Sequence, residues 1–223
     1  MNKTDTFVHF LVESGALKFG DFVTKSGRKT PYFINTGEFR TGASLSKLAE
    51  FYAAAFMEHF DGKAENLYGP AYKGIPLCAA TAMKLSDVYA KNLTFTYNRK
   101  EVKDHGEGGS LVGYKYSEKT NVVIIEDVIT AGTSVNETMQ ALSQMENVKV
   151  VGLLISVDRR EHLENGKSAL QDVQDNYGLE ARSFIGIDDI IKFLESEENR
   201  KAINAPEGIL DRVYAYREQW GVK

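Results

Sequence analysis

The segment from Val122 to Ser134 constrains the fold more than any other part of the sequence. It begins with four consecutive apolar residues, Val122 to Ile125, and continues with Glu126, Asp127 and a loop of small and hydroxyl-bearing residues. A strand without polar alternation is typical of a parallel sheet that is covered on both faces. Because helices join such strands, the segment predicts an α/β fold with the two acids at the carboxyl end of a buried strand.

The rest of the chain alternates between strand and helix patterns. Apolar residues recur at steps of three and four in the predicted helices, whereas the predicted strands are short apolar runs. In chain order we predict a helix from Ala43 to Asp61, a strand from Asn66 to Gly69, a helix from Lys73 to Leu85, strands from Leu93 to Tyr97 and Val122 to Ile125, a helix from Val135 to Met145, strands from Val148 to Val157 and Ala181 to Ile187, and a helix from Asp188 to Glu195. This order indicates a mainly parallel sheet flanked by helices, with ligands at the carboxyl ends of the strands.

Two parts of the chain do not fit this alternation. They are the first forty residues and a C-terminal stretch with helical spacing at Ile209, Val213, Tyr216 and Trp220. We expect both to form a small cap on the core. No repeat, low-complexity tract or linker-like segment interrupts the sequence, so residues 1–223 are predicted to fold as a single domain.

Composition argues against several classes of function. The 27 basic and 31 acidic residues give a net charge of −4, which does not suggest a nucleic-acid partner. A single cysteine, Cys78, excludes an internal disulfide framework. The N-terminal stretch has no apolar signal region and no run reaches transmembrane length, so we expect a cytoplasmic protein without a membrane partner.

The loop after the acid pair predicts a phosphate site. Ser134 and Glu137 have capping-box spacing, so we expect a helix to begin there with the N–H groups of residues 131–134 facing an anion. Hydroxyl donors and a glycine that permits close backbone approach lie in the same loop: Thr130, Gly132, Thr133 and Ser134. The hydroxyls of a ribose would fit between such a phosphate and the two carboxylates. The pattern therefore predicts a ribose 5-phosphate site.

Two other interpretations compete for this segment. A capping box alone is more often a structural helix start beside two solvated acids. A nucleotide-binding loop is the other phosphate site, but the chain contains neither G-x-x-x-x-G-K-[ST] nor G-x-G-x-x-G. The acid pair followed directly by TAGTS favours the ribose phosphate site over both.

The same segment resembles the 5-phospho-α-D-ribose 1-diphosphate (PRPP) signature of type I phosphoribosyltransferases. Four further motifs are similar to those of the orotate-specific members of that family, in the same order: FGDFVTKSGRKTPYFI from Phe19, GPAYKGIP from Gly69, YNRKEVKDHGEGG from Tyr97 and VDR from Val157. The resemblance implies the type I fold with a small N-terminal hood. It implies transfer of ribose 5-phosphate from PRPP to orotate, which yields orotidine 5′-phosphate and diphosphate in pyrimidine (UMP) synthesis.

The resemblance also assigns residues to PRPP. Outside the signature it implies contacts from Lys25, Tyr72, Lys73, Arg99, Lys100, Lys103 and His105. Within the signature it implies contacts from Glu126, Asp127, Val128, Ile129, Thr130, Ala131, Gly132, Thr133 and Ser134. The residues expected to be catalytic are Lys100, Lys103, His105 and Asp127. Glu126 stands where an aspartate is frequent in the family, which keeps the charge and adds a methylene.

Orotate is the second substrate that the resemblance implies, with contacts from Phe33, Ile34, Thr130 and Arg159. The planar donor fork of an arginine suits an anionic base. Without the resemblance, Phe33 and Ile34 are equally typical of a half-buried strand, and Arg159 of a surface ion pair with the charged residues beside it. Ile34 replaces a frequent aromatic residue, so no ring stacks at that position.

Residues 98–120 show no sustained periodicity and predict an irregular loop that acts as a lid. Cations placed near a departing diphosphate stabilise its growing charge, and a lid excludes water. The alternative is a solvated surface loop, because Glu101, Asp104 and Glu107 dilute the positive charge. The resemblance favours the lid, and it implies a homodimer in which the 98–120 loop closes on the neighbouring site.

Mg²⁺ is the implied partner of the diphosphate. The sequence has no dense carboxylate cluster, so we expect substrate oxygens and water to hold the metal rather than protein ligands. Two other functions compete with the proposed transfer: a regulator that only senses PRPP, and a transferase for uracil or hypoxanthine. The intact R-K-x-x-K-x-H spacing from Arg99 to His105 argues against the regulator, and the motifs around Lys25 and Arg159 argue against another base.

Overall fold

The fold is described from a computed structural model of the chain, which describes residues 3–24, 27–103, 109–129 and 132–222, with side chains for all of these except 101–103 and 109. Within these ranges no helix combines the length and the apolar character needed to cross a bilayer.

Strands and helices alternate along most of the chain. The strands are β1 (Leu17–Val23), β2 (Lys29–Ile34), β3 (Asn66–Gly69), β4 (Thr94–Lys103), β5 (Gly109–Gly113), β6 (Thr120–Ile125), β7 (Val128–Ile129), β8 (Val148–Asp158) and β9 (Glu180–Gly186). The α-helices are α1 (Lys3–Glu13), α2 (Gly42–His59), α3 (Gly74–Tyr89), α4 (Thr133–Ser143), α5 (Ala169–Tyr177), α6 (Ile187–Glu195), α7 (Glu197–Ala202) and α8 (Ile209–Trp220), and a 3₁₀ turn spans Thr36–Glu38.

The central sheet follows the order β5-β4-β3-β6-β8 in the described part of the chain, and β8 also pairs with β7 and β9. Every pair is parallel except β4 with β5. Parallel strands bring their carboxyl ends to one edge of a sheet, here called the carboxyl edge. The predicted α/β fold, a mainly parallel sheet flanked by helices, is confirmed.

The apolar run of β6 is explained by burial on both faces of the sheet. Val123 and Ile125 belong to one hydrophobic cluster, together with residues of α2, α3 and the N-terminal segment. Val122 and Ile124 belong to a second cluster, with residues of α4 and α5. Since both faces are covered, no polar residue alternates along this strand.

A small antiparallel sheet, here called the hood, lies outside the main sheet. It consists of β1 and β2, paired from Leu17 with Ile34 to Val23 with Lys29. The C-terminal helix α8 packs against it, and the ring of Tyr216 meets the ring of Tyr32 edge-on with centroids 5.6 Å apart. The N-terminal and C-terminal segments that break the strand–helix alternation therefore contact each other.

Residues 98–120 correct one prediction from the sequence. The expected irregular loop is instead flanked by paired strands, because β4 continues to Lys103 and β5 begins at Gly109. Asn98 pairs with Leu111, and Lys103 with Gly109, in an antiparallel hairpin here called the arm. No described side chain of the arm from residue 97 to 113 is buried. A hairpin without a buried face need not alternate apolar and polar residues, so no strand pattern was recognisable beyond Tyr97.

Candidate active site

Backbone hydrogen bonds fix the acid pair against β8. The N–H of Glu126 donates to the carbonyl of Leu154 at 3.1 Å, and the N–H of Ser156 donates to the carbonyl of Asp127 at 2.9 Å. The hydroxyl of Tyr52, on α2, donates to the carbonyl of Glu126 at 2.6 Å. Both acids therefore continue the ordered pairing of the central sheet beyond the end of β6.

Asp127 is the accessible member of the pair, with 15% of its side chain exposed. Its Oδ2 accepts a hydrogen bond from Lys73 Nζ at 3.3 Å and another from Thr36 Oγ1. Its Oδ1 accepts from the N–H of Val128 at 2.7 Å. The loop after β3, the segment after the hood and the end of β6 thus converge on one carboxylate.

Two residues at this point were missed by sequence reasoning, Thr36 and Asn35. Asn35 Oδ1 accepts a hydrogen bond from Lys73 Nζ at 3.4 Å, so both residues contact the groups that form the site. They directly follow Phe33 and Ile34, and that position was the available signal. A short polar run after a strand is too common to single out without the fold.

Glu126 is the buried member of the pair and is only 7% exposed. Its Oε2 accepts a hydrogen bond from Ser134 Oγ at 2.7 Å, and its Oε1 accepts from the N–H of Asp127 at 3.0 Å. Burial, reinforced by the neighbouring carboxylate of Asp127, raises the pKa of Glu126 from its usual 4.5 to about 7. At neutral pH the pair therefore carries less than two full negative charges.

The start of α4 corrects a second prediction, because the capping box expected from Ser134 and Glu137 does not form. Gly132 is the N-cap residue, in the left-handed region at φ 74°, and no side chain caps the helix. The Ser134 hydroxyl bonds to Glu126 instead. The helix begins at Thr133, two residues before the predicted start at Val135.

The described residues of the predicted phosphate site line one cavity of about 210 Å³: Glu126, Val128, Ile129, Gly132, Thr133 and Ser134, together with Val135. Thr133 and Ser134 are exposed in the first turn of α4. A helix N-terminus attracts anions through its unpaired N–H groups and dipole. Thr130 and Ala131, predicted for the same site, lie outside the described residues.

The loop after β3 contacts the base of the arm. The N–H of Ala71 donates to Asn98 Oδ1 at 2.8 Å, and the Ala71–Tyr72 peptide bond is cis. The ring of Tyr72, a 66% exposed residue, lies 5.0 Å from Lys100 Nζ. With Lys73 on the same loop, two predicted PRPP cations lie beside Tyr72 and Asp127.

The remaining predicted PRPP cations are less completely placed. Arg99 lies on β4 next to Lys100, within the arm. Lys103 ends that strand, and its side chain is not among those described. Lys25 and His105 lie outside the described residues.

The predicted orotate residues lie on the hood and beyond the end of β8. Phe33 is 42% exposed and stacks on Phe22 with ring centroids 5.5 Å apart, whereas Ile34 is half-buried against the core. Arg159 is only 7% exposed, so it is not the surface ion-pair residue that its neighbours suggested. Its guanidinium lies 4.6 Å from the centre of the Tyr32 ring, and Nε donates to Glu161 at 2.7 Å.

The described residues hold no cluster of three or more Asp, Glu, His or Cys side chains suited to a metal ion. Asp127 is the partly exposed carboxylate at the carboxyl edge. One carboxylate is compatible with Mg²⁺, because this ion commonly keeps several waters and takes its other ligands from phosphate oxygens. The donor set therefore fits a metal that arrives with a phosphorylated substrate.

Comparisons with known proteins show the family of the chain. A family model of the phosphoribosyl transferase domain matches residues 37–180. The orotate phosphoribosyltransferase of Lachnoclostridium phytofermentans is 48% identical over 217 residues, which cover 97% of this chain and 96% of that protein. The crystal structure of the Francisella tularensis orotate phosphoribosyltransferase matches with a TM-score of 0.83 and 34% identity, over 97% of this chain and 99% of that one.

A more distant structure shares the fold. The Mycobacterium tuberculosis orotate phosphoribosyltransferase in complex with PRPP matches with a TM-score of 0.62 and 16% identity, over 85% of this chain and 99% of that one. The fold and the transferase activity that the motifs implied are thus confirmed. The chain belongs to the orotate phosphoribosyltransferases of the type I family, the PRPP-using pentosyltransferases of pyrimidine biosynthesis.

Proposed function

We propose that PRPP lies along the carboxyl edge with its ribose hydroxyls on Asp127. The observation that carries this placement is the convergence of Lys73 and Thr36 on that carboxylate. Ribose hydroxyls are hydrogen-bond donors, and a partly exposed carboxylate held by the sheet is the acceptor they need. When PRPP binds, the Lys73 ammonium exchanges Asp127 for the diphosphate.

The 5-phosphate occupies the cavity at the start of α4. Gly132 lines this cavity, and Thr133 and Ser134 are exposed residues of the first helical turn. The family resemblance adds Thr130 and Ala131. The raised pKa of Glu126 supports this placement, because a partly protonated Glu126 repels a phosphate dianion less than a full carboxylate would.

Transfer breaks the bond from the ribose C1 to the diphosphate oxygen, forms a bond from C1 to a ring nitrogen of orotate and releases the proton of that nitrogen. Negative charge grows on the leaving oxygen, so cations aimed at it stabilise the transition state more than the bound substrate. Lys73 and Lys100 flank Tyr72 on this side of the site. Lys25, Arg99, Lys103 and His105 complete the set by resemblance, and Lys100, Lys103, His105 and Asp127 act in catalysis.

Orotate lies between the hood and the segment after β8. Phe33 presents an exposed ring to the base, and Ile34 adds an apolar wall. Arg159 receives the orotate carboxylate through its guanidinium, and Thr130 contacts the ring by resemblance. Uracil lacks that carboxylate, so the arginine selects orotate over uracil.

Mg²⁺ enters the site with PRPP in this proposal. Substrate oxygens and water would supply most of its ligands, and Asp127 would be the protein carboxylate close to them. When bound, the ion neutralises part of the charge on the diphosphate. The protein residues then orient the sugar and exclude water, which would otherwise hydrolyse it.

We also propose a homodimer in which the 98–120 arm closes on the neighbouring site. The support is the family resemblance together with the position of the arm, whose strand β5 ends the path of the main sheet. Mixing subunits that carry Lys103→Ala with subunits that carry Asp127→Asn tests this. Partial recovery of activity is expected, and no recovery after verified subunit exchange would contradict a shared site.

The single-domain organisation of residues 1–223 and the cytoplasmic location remain predictions. Cooperative unfolding with coincident transitions by fluorescence and circular dichroism tests the first. Fractionation of the source cells tests the second.

The placement of PRPP on Asp127 is tested by the fall in orotate absorbance with PRPP and Mg²⁺. We expect the wild-type protein to consume orotate but not uracil. Asp127→Asn should lower kcat/KM by roughly 10²-fold, as loss of a group aimed at the transition state does. Asp175→Asn is the matched control, because Asp175 pairs with Lys167 on the surface at 2.8 Å, and it should retain full activity. Equal activity of the two variants would contradict the placement.

A further inference from the structure

We propose that Glu161 is a positioning residue for orotate, which it never touches, and that it acts by fixing the guanidinium of Arg159. The inference rests on the orotate site proposed above. It would make the C-terminal helix α8 part of base recognition, although that helix carries none of the family motifs.

Glu161 holds one edge of the Arg159 guanidinium. Its Oε1 lies 2.7 Å from Nε and 2.5 Å from Nη2 of Arg159. Tyr32 supports the flat face of the same group from below. Among the described residues no hydrogen bond uses Nη1 of Arg159. One edge of the guanidinium is therefore occupied by protein, and the opposite edge remains for a ligand carboxylate.

Glu161 is itself fixed by two further elements. The hydroxyl of Tyr216, on α8, donates to Glu161 Oε1 at 2.7 Å, and Nη1 of Arg28, from the hood, lies 3.4 Å from Oε2. The guanidinium of Arg28 in turn packs 4.5 Å from the ring centre of Trp220. The carboxylate thus joins the segment after β8 to the hood and to α8.

The backbone holds this segment against the C-terminus as well. Glu161 forms an antiparallel bridge with Gly221, and the N–H of His162 donates to the carbonyl of Trp220 at 2.9 Å. The carboxylate of Glu161 is consequently fixed from both its backbone and its side chain, as a group that orients another side chain must be.

Positioning outweighs the repulsion between Glu161 and the orotate carboxylate. The Glu161 carboxylate lies on the far edge of the guanidinium from Nη1 and is neutralised by both Arg159 and Arg28. Removing it would leave a buried arginine, 7% exposed, without its counter-ion and free to turn away from the base. Hydrogen bonds to charged groups are among the stronger ones in proteins, so we expect the loss of orientation to dominate.

The test separates KM from kcat for each substrate. For Glu161→Gln we expect the KM for orotate to rise about tenfold, which corresponds to about 1.4 kcal/mol, with kcat and the KM for PRPP changed less than about twofold. Tyr216→Phe removes one donor to Glu161 and should raise the same KM by roughly threefold. A merely structural role would instead lower the melting temperature and kcat and alter both KM values together.

Asp188→Asn is the matched control. Asp188 accepts hydrogen bonds from Arg160 at 2.6 Å and from Arg217 at 2.9 Å, so it joins the same segment to α8 without touching Arg159. We expect its KM for orotate to equal that of the wild type. An equal rise in Asp188→Asn and Glu161→Gln would overturn the proposal, because it would show a general effect of docking α8.

Arg159→Lys separates failure of this inference from failure of the orotate site. If Arg159→Lys raises the KM for orotate but Glu161→Gln leaves it unchanged or lowers it, Glu161 is not a positioning residue and the orotate site stands. If Arg159→Lys leaves that KM unchanged, the orotate site itself is misplaced and the inference fails with it.

Discussion

The acid-bearing end of β6 and the arm serve the same substrate, but they are held in different ways. Glu126 and Asp127 are bonded to β8 and α2, at the end of a strand that is buried on both faces. The described side chains of the arm are at most half-buried, and contacts such as that between Lys100 and Tyr72 connect its base to the site.

This difference in how the two regions are held corresponds to a division between substrate binding and the chemical step. Groups that must recognise the ribose phosphate as it arrives lie on the rigid core, where their positions are fixed in advance. Groups that meet charge only when the diphosphate leaves lie on an element with few buried contacts, which can close after binding. We therefore expect changes in the arm to affect kcat with little effect on stability, whereas changes at the acid-bearing edge also affect stability and substrate affinity.

The largest effect is expected for Lys103→Ala in the arm. Removing a cation that faces the leaving group should lower kcat by roughly 10²- to 10³-fold. The melting temperature should stay within about 1 °C, since none of the described side chains of the arm is buried and substitutions outside the core change stability little. Steady-state kinetics and thermal unfolding of the same preparation measure both quantities.

Lys115→Ala is the matched control for the arm, because Lys115 Nζ bonds to the carbonyl of Leu111 at 2.6 Å beside β5 and faces no predicted substrate group. It should retain wild-type kcat. Equal losses of stability and activity in Lys103→Ala would contradict the division between edge and arm.

The second effect concerns the pH dependence of stability at the edge. The pKa of Glu126 is about 7 when folded and near 4.5 in a solvated chain, so folding favours the protonated acid. Its contribution is fully present below about pH 4.5 and is lost as the pH rises through about 7. Because glutamine stays neutral, Glu126→Gln should gain roughly 3 kcal/mol relative to the wild type between pH 4.5 and 8.

Urea unfolding of both proteins at several pH values in this window measures that gain. If the difference in unfolding free energy between the two proteins does not change with pH, Glu126 titrates like a solvated acid. The acid-bearing edge would then not differ from the arm in this respect.

A third test perturbs the backbone behind the loop after β3. A Cβ added at Gly69 would lie 2.3 Å from the carbonyl oxygen of Gly74. Because that oxygen belongs to the backbone, the backbone itself would have to move to relieve the clash. Gly69→Ala should cost about 2 kcal/mol of unfolding free energy and raise the KM for PRPP, since the loop carries Tyr72 and Lys73. Gly42→Ala, with nothing within 4 Å of the added Cβ, should be neutral. Similar stabilities of the two variants would show that this part of the edge is less tightly packed than described.

The smallest effect is expected for Ser134→Ala. The variant loses the hydroxyl that bonds to Glu126 and, by our proposal, contacts the 5-phosphate. We expect the KM for PRPP to rise by roughly tenfold, in line with one hydrogen bond to a charged group. Ser143→Ala, at the other end of α4, removes a hydroxyl bonded to the carbonyl of Gln140 and should leave that KM unchanged. If both serines behave alike, the phosphate does not lie at the start of α4.

The sequence predicted the sheet and its carboxyl edge well, for a physical reason. Strands such as β6 are buried on both faces, so their apolar runs are unmistakable, and the residues after them must meet at one edge. The elements predicted from α2 to α6 therefore occur in the predicted order, with boundaries that differ by a few residues, but β5, β7 and α5 were not predicted. The start of α4 was predicted at Val135, two residues after its actual start at Thr133.

Side-chain partners were harder to predict than backbone. Ser134 has the spacing of a capping residue, but a nearby buried carboxylate competes for its hydroxyl, and only the fold reveals that competitor. The described side chains of the arm form no buried face, so its sequence shows no alternation of apolar and polar residues. Thr36 bonds to Asp127, which lies 91 positions later in the sequence, and no local sequence pattern predicts a contact over that separation.

The central claim is that the 5-phosphate, ribose and base occupy the α4 cavity, Asp127 and the pocket between Phe33 and Arg159 in that order. A crystal structure with orotidine 5′-phosphate tests it most directly. The account predicts phosphate oxygens within hydrogen-bond distance of Thr133 and Ser134, a ribose hydroxyl on Asp127, and the base carboxylate on Nη1 of Arg159. Phosphate bound elsewhere, for instance in the groove lined by Arg200 and Lys201, would contradict it.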